Sequence, residues 1–390
     1  MLDALSKQSG SRVGAFEGQT LAFEAGALTQ LIADSGMTRP MLVVDRRAVD
    51  AAGLREEIHG ATRCGERMFD GIEPNPSAEL ARSVIDAAIR VRADGLVAVG
   101  GGSCIDLAKA TALGLDHRND VEAIIRGRSS IRGAAPVIAV PTTAGSGSQA
   151  TSFGVLYVEG RKKSIDHPAL RPAAAVLDHR FIESLPPRLS AVSGLDALCQ
   201  CIESIWACGA TERSRTLATE GGTLMFEYLV AAARDQDPAA CQAIMLGAHL
   251  SGCAINISRT TAAHAYSYAL TQRYGVPHGL AVAYGLGWVA QWNAGVDADS
   301  CQHPAGPEAA RVFVHDAAFV LGVRPDRVGD AMASLLDALS LPRSPLAAGV
   351  SVADLPALAR AIDPMRLSNN PRRLTADDVL MGTQRSFVMG

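Results

Sequence analysis

The spacing of apolar residues changes character once along this 390-residue chain, near Leu185-Pro186-Pro187, and that change limits what the chain can fold into. Before it, short apolar runs alternate with amphipathic stretches: PMLVVD (40–45), SAELARSVIDAAIRVR (77–92), GLVAVGGGS (95–103) and APVIAVPTTAGSGS (135–148). Runs of that kind interleaved with helical periods predict βαβ units and a parallel sheet. After it, Ala/Leu-rich segments at helical spacing continue to about residue 384. Two adjacent prolines continue neither a helix nor a central strand, so they mark a boundary. The expectation is an α/β domain over 1–187 and an all-helical domain over 188–390, a length that supports two cores. No repeat or low-complexity linker separates them, so a tight cleft is expected.

Composition removes several function classes. A formal net charge of −4 lacks the basic face that phosphate-backbone binding needs, so no nucleic acid is expected as a partner. The opening MLDALSKQSGSR has no signal-length apolar core, and nothing later reaches about 18 uninterrupted apolar residues. A soluble cytoplasmic protein without a membrane partner is expected. The eight cysteines contain no C-x-x-C pair, so they read as buried thiols in a reducing compartment. Lysine stands only at 7, 109, 162 and 163 among 36 basic residues, which draws attention to each internal one.

Gly100-Gly101-Gly102-Ser103 lies between an apolar run and the helical CIDLAKATAL, where bare amides at a helix N-terminus suit a pyrophosphate. A second small-residue loop, Pro141 to Ser148, also follows a strand signal. Loops of this kind at strand C-terminal ends are where open α/β sheets bind ligands, although either one could also be a plain tight turn. Asp45 closes PMLVVD, where a carboxylate can accept from an adenosine ribose and disfavour a 2′-phosphate. Arg46 and Arg47 beside it would act the other way, so NADH is preferred and NADPH stays open.

In SGLDALCQCIESIWA, Asp196, Gln200 and Glu203 share one helix face, either as a solvated polar stripe or as ligands. His264 and His278 are fourteen residues apart, the second after Pro277 at an expected helix start. One carboxylate and two imidazoles make a minimal divalent-metal site with a coordination position left open. Each histidine taken alone could equally be a packed core or capping residue. The histidines at 59, 117, 167, 179, 249, 303 and 315 read as surface or structural.

GGGSCIDLAKA, PTTAGSGSQAT, KKSIDHPALRPAAAVLD, SGLDALCQCIES and HAYSYALTQRYGVPHG together resemble the iron-containing, or group III, alcohol dehydrogenases, relatives of glycerol dehydrogenase and dehydroquinate synthase. The resemblance implies an N-terminal α/β dinucleotide-binding domain, an all-α metal and substrate domain, and an active site between them. It implies an NADH-linked aldehyde reductase holding Fe²⁺ or Zn²⁺, usually as a homodimer. By matching motif, Gly100, Gly101, Gly102, Ser103 and Asp106 would hold the cofactor, with Thr142, Thr143 and Ser146 toward the nicotinamide and Lys162 near the phosphates. Asp196, Gln200, His264 and His278 would hold the metal. Gln200 departs from the family's usual histidine, and Tyr268 replaces another; a neutral amide oxygen is the weaker ligand. Tyr268 could assist an oxyanion or a proton transfer, or simply pack.

Arg259-Thr260-Thr261 runs into His264, and a guanidinium fork with hydroxyls suits an anion. Arg259, Thr260, Thr261 and Tyr268 are therefore expected at the substrate, with Tyr268, Arg259 and His264 as the catalytic set. Within the family the pattern is similar to the phosphonoacetaldehyde reductases of phosphonate metabolism, which implies reduction of phosphonoacetaldehyde to 2-hydroxyethylphosphonate. Reductases of maleylacetate, sulfoacetaldehyde or a semialdehyde, a dehydroquinate-synthase-like cyclase, and an inactive cofactor-binding homologue are the alternatives.

Overall fold

The structure, a computed structural model, describes residues 13–116, 123–124, 130–362 and 364–388. The opening MLDALSKQSGSR and His117 lie outside the described residues. The chain divides into two compact units, Met1–Leu185 and Pro186–Gly390.

The first unit carries strands β1 (Val13–Phe16), β2 (Gln19–Ala22), β3 (Pro40–Val44), β4 (Met68–Phe69), β5 (Gly95–Gly100), β6 (Val137–Pro141), β7 (Phe153–Val158), β8 (Arg161–Asp166) and β9 (Ala174–Val176). Its helices are α1 (Leu28–Asp34), α2 (Arg46–Ala51), α3 (Arg55–Thr62), α4 (Ala78–Arg90), α5 (Gly102–Asp116) and α6 (Arg180–Glu183). The main sheet runs β1-β2-β9-β6-β5-β3-β4, parallel except for the β1/β2 pair. Strands β3, β5 and β6 are buried at every position. A strand covered on both faces reads as an unbroken apolar run, which is why these three stand out in the sequence. Helix α4 starts where Ser77 Oγ accepts the Leu80 N–H at 3.0 Å, an N-cap that fixes its entry.

Strands β7 and β8 form a separate antiparallel hairpin that the βαβ reading did not anticipate. Its turn is Glu159-Gly160, both at positive φ (51° and 71°), the backbone that a two-residue hairpin loop requires. Lys162 stands on this hairpin, opposite Tyr157.

The second unit comprises α7 (Pro187–Trp206), α8 (Glu212–Arg234), α9 (Pro238–Ser258), α10 (Ala262–Tyr274), α11 (His278–Ala294), α12 (Gly306–Phe319), α13 (Val328–Ala338), α14 (Leu355–Arg360) and α15 (Ala376–Val388). Pro187 opens α7 instead of merely ending what precedes it, because the first turn of a helix has no use for the missing N–H. Helix α9 is long and apolar enough to cross a membrane, but 83% of its apolar window is buried inside the unit, as in a core helix. It packs with α7 and α8, and α11 packs with α7 and α10.

Candidate functional site

Three helices bring the metal candidates together. Asp196 lies mid-way along α7, His264 in the first turn of α10, and His278 is the first residue of α11. One ligand atom from each falls within 4.8 Å of the other two. The approach of α11 to α7 depends on Gly279, where a Cβ would sit 2.0 Å from the Val192 carbonyl oxygen.

Asp196, Gln200 and Glu203 are 8%, 4% and 0% exposed, so this helix face is not a solvated stripe. Glu203, which sequence reasoning placed on the face but gave no task, organises the centre. Its Oε2 takes His264 Nδ1 in a short contact, and its Oε1 accepts the Ala263 N–H at 2.8 Å and the Thr261 hydroxyl at 2.5 Å. An ionised carboxylate only accepts, so Nδ1 of His264 carries a proton, and in the neutral ring Nε2 would present its lone pair. That nitrogen stands 3.3 Å from Asp196 Oδ1.

His278 is set the same way. Ser267 donates its one hydroxyl proton to the His264 carbonyl at 2.8 Å, leaving its oxygen to accept from His278 Nδ1 at 3.2 Å. In the neutral ring His278 Nε2 then carries the lone pair, and it lies 3.8 Å from Asp196 Oδ1. Two imidazole lone pairs converging on a carboxylate fit a divalent cation, and tautomers fixed by an outer partner are the usual support for such ligands. Without a cation, burial opposes a charged His264, but Glu203 and Asp196 outweigh it and push its pKa up to about 10.

Gln200 Oε1 stands 2.8 Å from the Ser251 hydroxyl of α9. Cys199 and Cys201, its chain neighbours, are fully buried; burial pushes the Cys201 thiol up to about 12 and Cys199 higher than its ordinary value. Neither is poised as a thiolate ligand.

Thr261 departs from its expected place at a substrate. It is 1% exposed, gives its proton to Glu203 and accepts from Trp206 Nε1 at 2.9 Å, so it braces the carboxylate that holds His264. Arg259 is the C-cap of α9, with φ 61° and ψ −179°, a conformation that costs a non-glycine residue about 1–3 kcal/mol. Its Nη1 reaches back to the Ile255 carbonyl at 3.4 Å. Thr260 is half-buried, and its carbonyl accepts from Asn369 Nδ2 at 3.0 Å. Tyr268 is half-buried and stacks on the His278 ring, centroids 5.6 Å apart and 20° from parallel.

In the first unit, Gly100 and Pro141 are paired across neighbouring parallel strands, so the loops after β5 and β6 emerge side by side. Thr142 N–H donates to the Gly100 carbonyl at 3.1 Å. A Cβ on Gly102 would meet Ser146 Oγ at 2.5 Å, and one on Gly101 would stand 3.6 Å from Thr143. The two loops thus share one small-residue surface at the start of α5, with Ser103 Oγ accepting the Asn75 N–H at 3.3 Å.

Asp45 N-caps α2 by accepting from the Arg47 and Ala48 amides at 3.1 and 3.4 Å, while Arg46 pairs with Asp70. Both Asp106 oxygens are engaged within the unit, one with the Ser148 hydroxyl and one with the Val155 amide. Burial pushes its pKa above the ordinary carboxylate value. Lys109 is a structural lysine: its ammonium, lowered to about 8 by burial, donates to the Thr151 and Phe153 carbonyls and the Thr151 hydroxyl.

A parallel sheet bearing paired small-residue loops, and a helical unit bearing a tautomer-locked carboxylate–imidazole trio, define a metal-assisted nucleotide-linked enzyme class. Models of the iron-containing alcohol dehydrogenase match residues 19–179, and those of the family's C-terminal domain match residues 190–386. The chain belongs to the iron-containing alcohol dehydrogenase family and is an oxidoreductase.

Among relatives it is 36% identical over 316 residues to the phosphonoacetaldehyde reductase of Streptomyces viridochromogenes, covering 78% of each chain. It is 27% identical over 376 residues to the lactaldehyde reductase of Escherichia coli, covering 91% of this chain and 94% of that one. The solved sulfoacetaldehyde reductase of Bifidobacterium kashiwanohense in complex with NAD⁺ superposes with a TM-score of 0.82 at 26% identity, covering 95% of this chain and 98% of the other.

Proposed function

We propose that the protein reduces a small anionic aldehyde with NADH, and that phosphonoacetaldehyde, giving 2-hydroxyethylphosphonate, is the substrate. The observation that carries the chemistry is the trio Asp196, His264 and His278, with both imidazole Nε2 atoms turned toward one carboxylate. What favours the substrate is the 36% identity to a phosphonoacetaldehyde reductase.

Asp196, His264 and His278 would hold the metal, with Gln200 as the fourth donor. When bound, Fe²⁺ or Zn²⁺ supplies Lewis-acid polarisation of a carbonyl oxygen. Gly100, Gly101, Gly102 and Ser103 would take the pyrophosphate, Thr142, Thr143 and Ser146 the nicotinamide side, and Asp45 the ribose, with Asp106 and Lys162 supporting. NADH held there would supply the hydride for the aldehyde carbon, and Tyr268, stacked on His278, is placed to pass one solvent proton to the substrate oxygen. Glu203 keeps His264 in the ligating tautomer throughout, and Ser267 does so for His278.

The test is a panel of phosphonoacetaldehyde, sulfoacetaldehyde and neutral aldehydes with NADH, using enzyme stripped of metal and resupplied with Fe²⁺ or Zn²⁺. The expected result is metal-dependent NADH consumption with kcat/KM highest for phosphonoacetaldehyde. Equal rates with neutral aldehydes defeat the substrate reading, and full activity without metal defeats the chemistry. NADH regenerated within each turnover would mark a cyclase instead.

A further inference from the structure

Tyr268 does more than fill space beside a histidine. Its ring is stacked on His278, and the guanidinium carbon of Arg366 lies over the same ring at 4.5 Å from its centroid. Since the two centroid distances are 4.5 and 5.6 Å, Arg366 stands no further than about 10 Å from the centre of an imidazole in the trio. A guanidinium over an aromatic face is held there by the ring quadrupole, which fixes its position beside the trio.

The segment that carries Arg366 is fastened to the junction of α9 and α10. Asn369 Nδ2 donates to the Ser258 and Thr260 carbonyls at 2.8 and 3.0 Å, and its Oδ1 accepts the Gly209 N–H at 2.9 Å. Asn370, fully buried, exchanges side-chain hydrogen bonds with Asn293 of α11 at 2.7 and 3.1 Å. A fastened backbone and an aromatic ring beneath the guanidinium together restrict an otherwise flexible cation, which lowers the entropy lost when it grips a ligand.

We infer that Arg366, not Arg259, binds the anionic end of the substrate. Arg259 turns Nη1 back to its own helix at Ile255, whereas Arg366 shares a ring with a member of the trio. A two-carbon aldehyde whose carbonyl lies at the trio can extend its phosphonate or sulfonate along the Tyr268 edge to Arg366, where a planar fork meets two anion oxygens. This inference rests on the reading of the protein as a reductase of anionic aldehydes.

The experiment compares wild type, Arg366→Gln, Arg366→Lys and Arg259→Gln, each loaded with metal and NADH, and reads the ratio of kcat/KM for phosphonoacetaldehyde to that for propanal. A ratio cancels any fraction of protein that misfolds. Arg366→Gln should lower it about 10- to 100-fold, the loss expected of a charge-assisted pair, and Arg366→Lys should restore part of it. Arg259→Gln should lower it far less. Wild type that favours the anion while Arg366→Gln keeps the same ratio overturns Arg366 and leaves the substrate reading standing. Wild type without any preference for the anion overturns both.

Discussion

The carboxylate of Glu203 holds Nδ1 of His264, and through it aims Nε2 at Asp196. The same carboxylate takes the Thr261 hydroxyl and the Ala263 amide, so one fully buried anion fixes both a ligand's tautomer and the first turn of the helix carrying it. Without a metal His264 stays protonated between Glu203 and Asp196, and a cation that displaces the Nε2 proton finds that nitrogen already aimed.

Glu203→Gln tests that arrangement. An amide can turn its NH₂ toward Nδ1 and reverse the tautomer, which puts a proton on the nitrogen that should ligate. Zn²⁺ affinity of metal-stripped enzyme should fall about 10- to 100-fold, the usual cost of removing such a partner. Calorimetric titration measures it, with the circular-dichroism spectrum as a check on folding. Unchanged affinity would reduce Glu203 to a helix brace.

The glycine loop makes a graded prediction. A Cβ on Gly100 would meet Cys104 at 2.5 Å and one on Gly102 would meet Ser146 at 2.5 Å, but one on Gly101 has only ordinary contacts at 3.6 Å. Gly100→Ala and Gly102→Ala should therefore destabilise the first unit by about 1–3 kcal/mol through overpacking. Gly101→Ala should leave thermal stability unchanged and still weaken NADH binding, because the added methyl occupies only the space a pyrophosphate would approach. A fluorescence titration with NADH that finds Gly101→Ala equal to wild type would move the cofactor off this loop.

Stability at acid pH should depend on Asp94. Burial alone would raise its pKa, but the Thr38 hydroxyl and amide and the Arg39 amide, at 2.7 to 2.9 Å, leave it below the ordinary carboxylate value. A depressed folded pKa contributes stability above the unfolded value of about 3.9 and loses it as pH falls through the lower folded value. Because Asp94 is exposed, solvent screens these bonds, so Asp94→Asn should be less stable than wild type by no more than about 1 kcal/mol near neutrality, with the two melting curves converging as pH falls through the folded value. A gap that persists at the lowest pH would assign the effect to packing.

Much of this architecture is legible in the sequence because its signals are local. The buried strands β3, β5 and β6 announce themselves as apolar runs, the last two leading into small-residue loops, and the trio is found from residue type and helix position. The hairpin from Phe153 to Asp166 is harder to see, since its turn is Glu159-Gly160 and its β8 strand is largely exposed. Glu203 shows only as the third member of a helix face; the contacts that define it lie 58 to 61 residues away. Thr261 reads as a substrate hydroxyl for the same reason, because its partners Glu203 and Trp206 are distant in the chain. Arg366 has no local signal, and it gains meaning only from the ring it covers.

Gln200 gives the last prediction. Ser251 has one hydroxyl proton and two carbonyl oxygens in reach, Gln200 Oε1 at 2.8 Å and Ala197 O at 3.2 Å. If the proton goes to Ala197, Ser251 Oγ accepts from the Gln200 amide nitrogen, and the amide oxygen is turned to the face it shares with Asp196. A flip of this kind exchanges two atoms of nearly equal size, so hydrogen-bond inventory decides it. Without a cation the unflipped amide is already satisfied by Ser251, so the flip is what ligation by Gln200 would require. Gln200→Leu should accordingly weaken Zn²⁺ binding about tenfold, and Gln200→His should strengthen it by a similar factor, as an imidazole replaces a neutral amide oxygen. Competition against a calibrated chelator measures both. Equal affinities for wild type and Gln200→Leu would show that three ligands hold the metal and that Gln200 serves Ser251 alone.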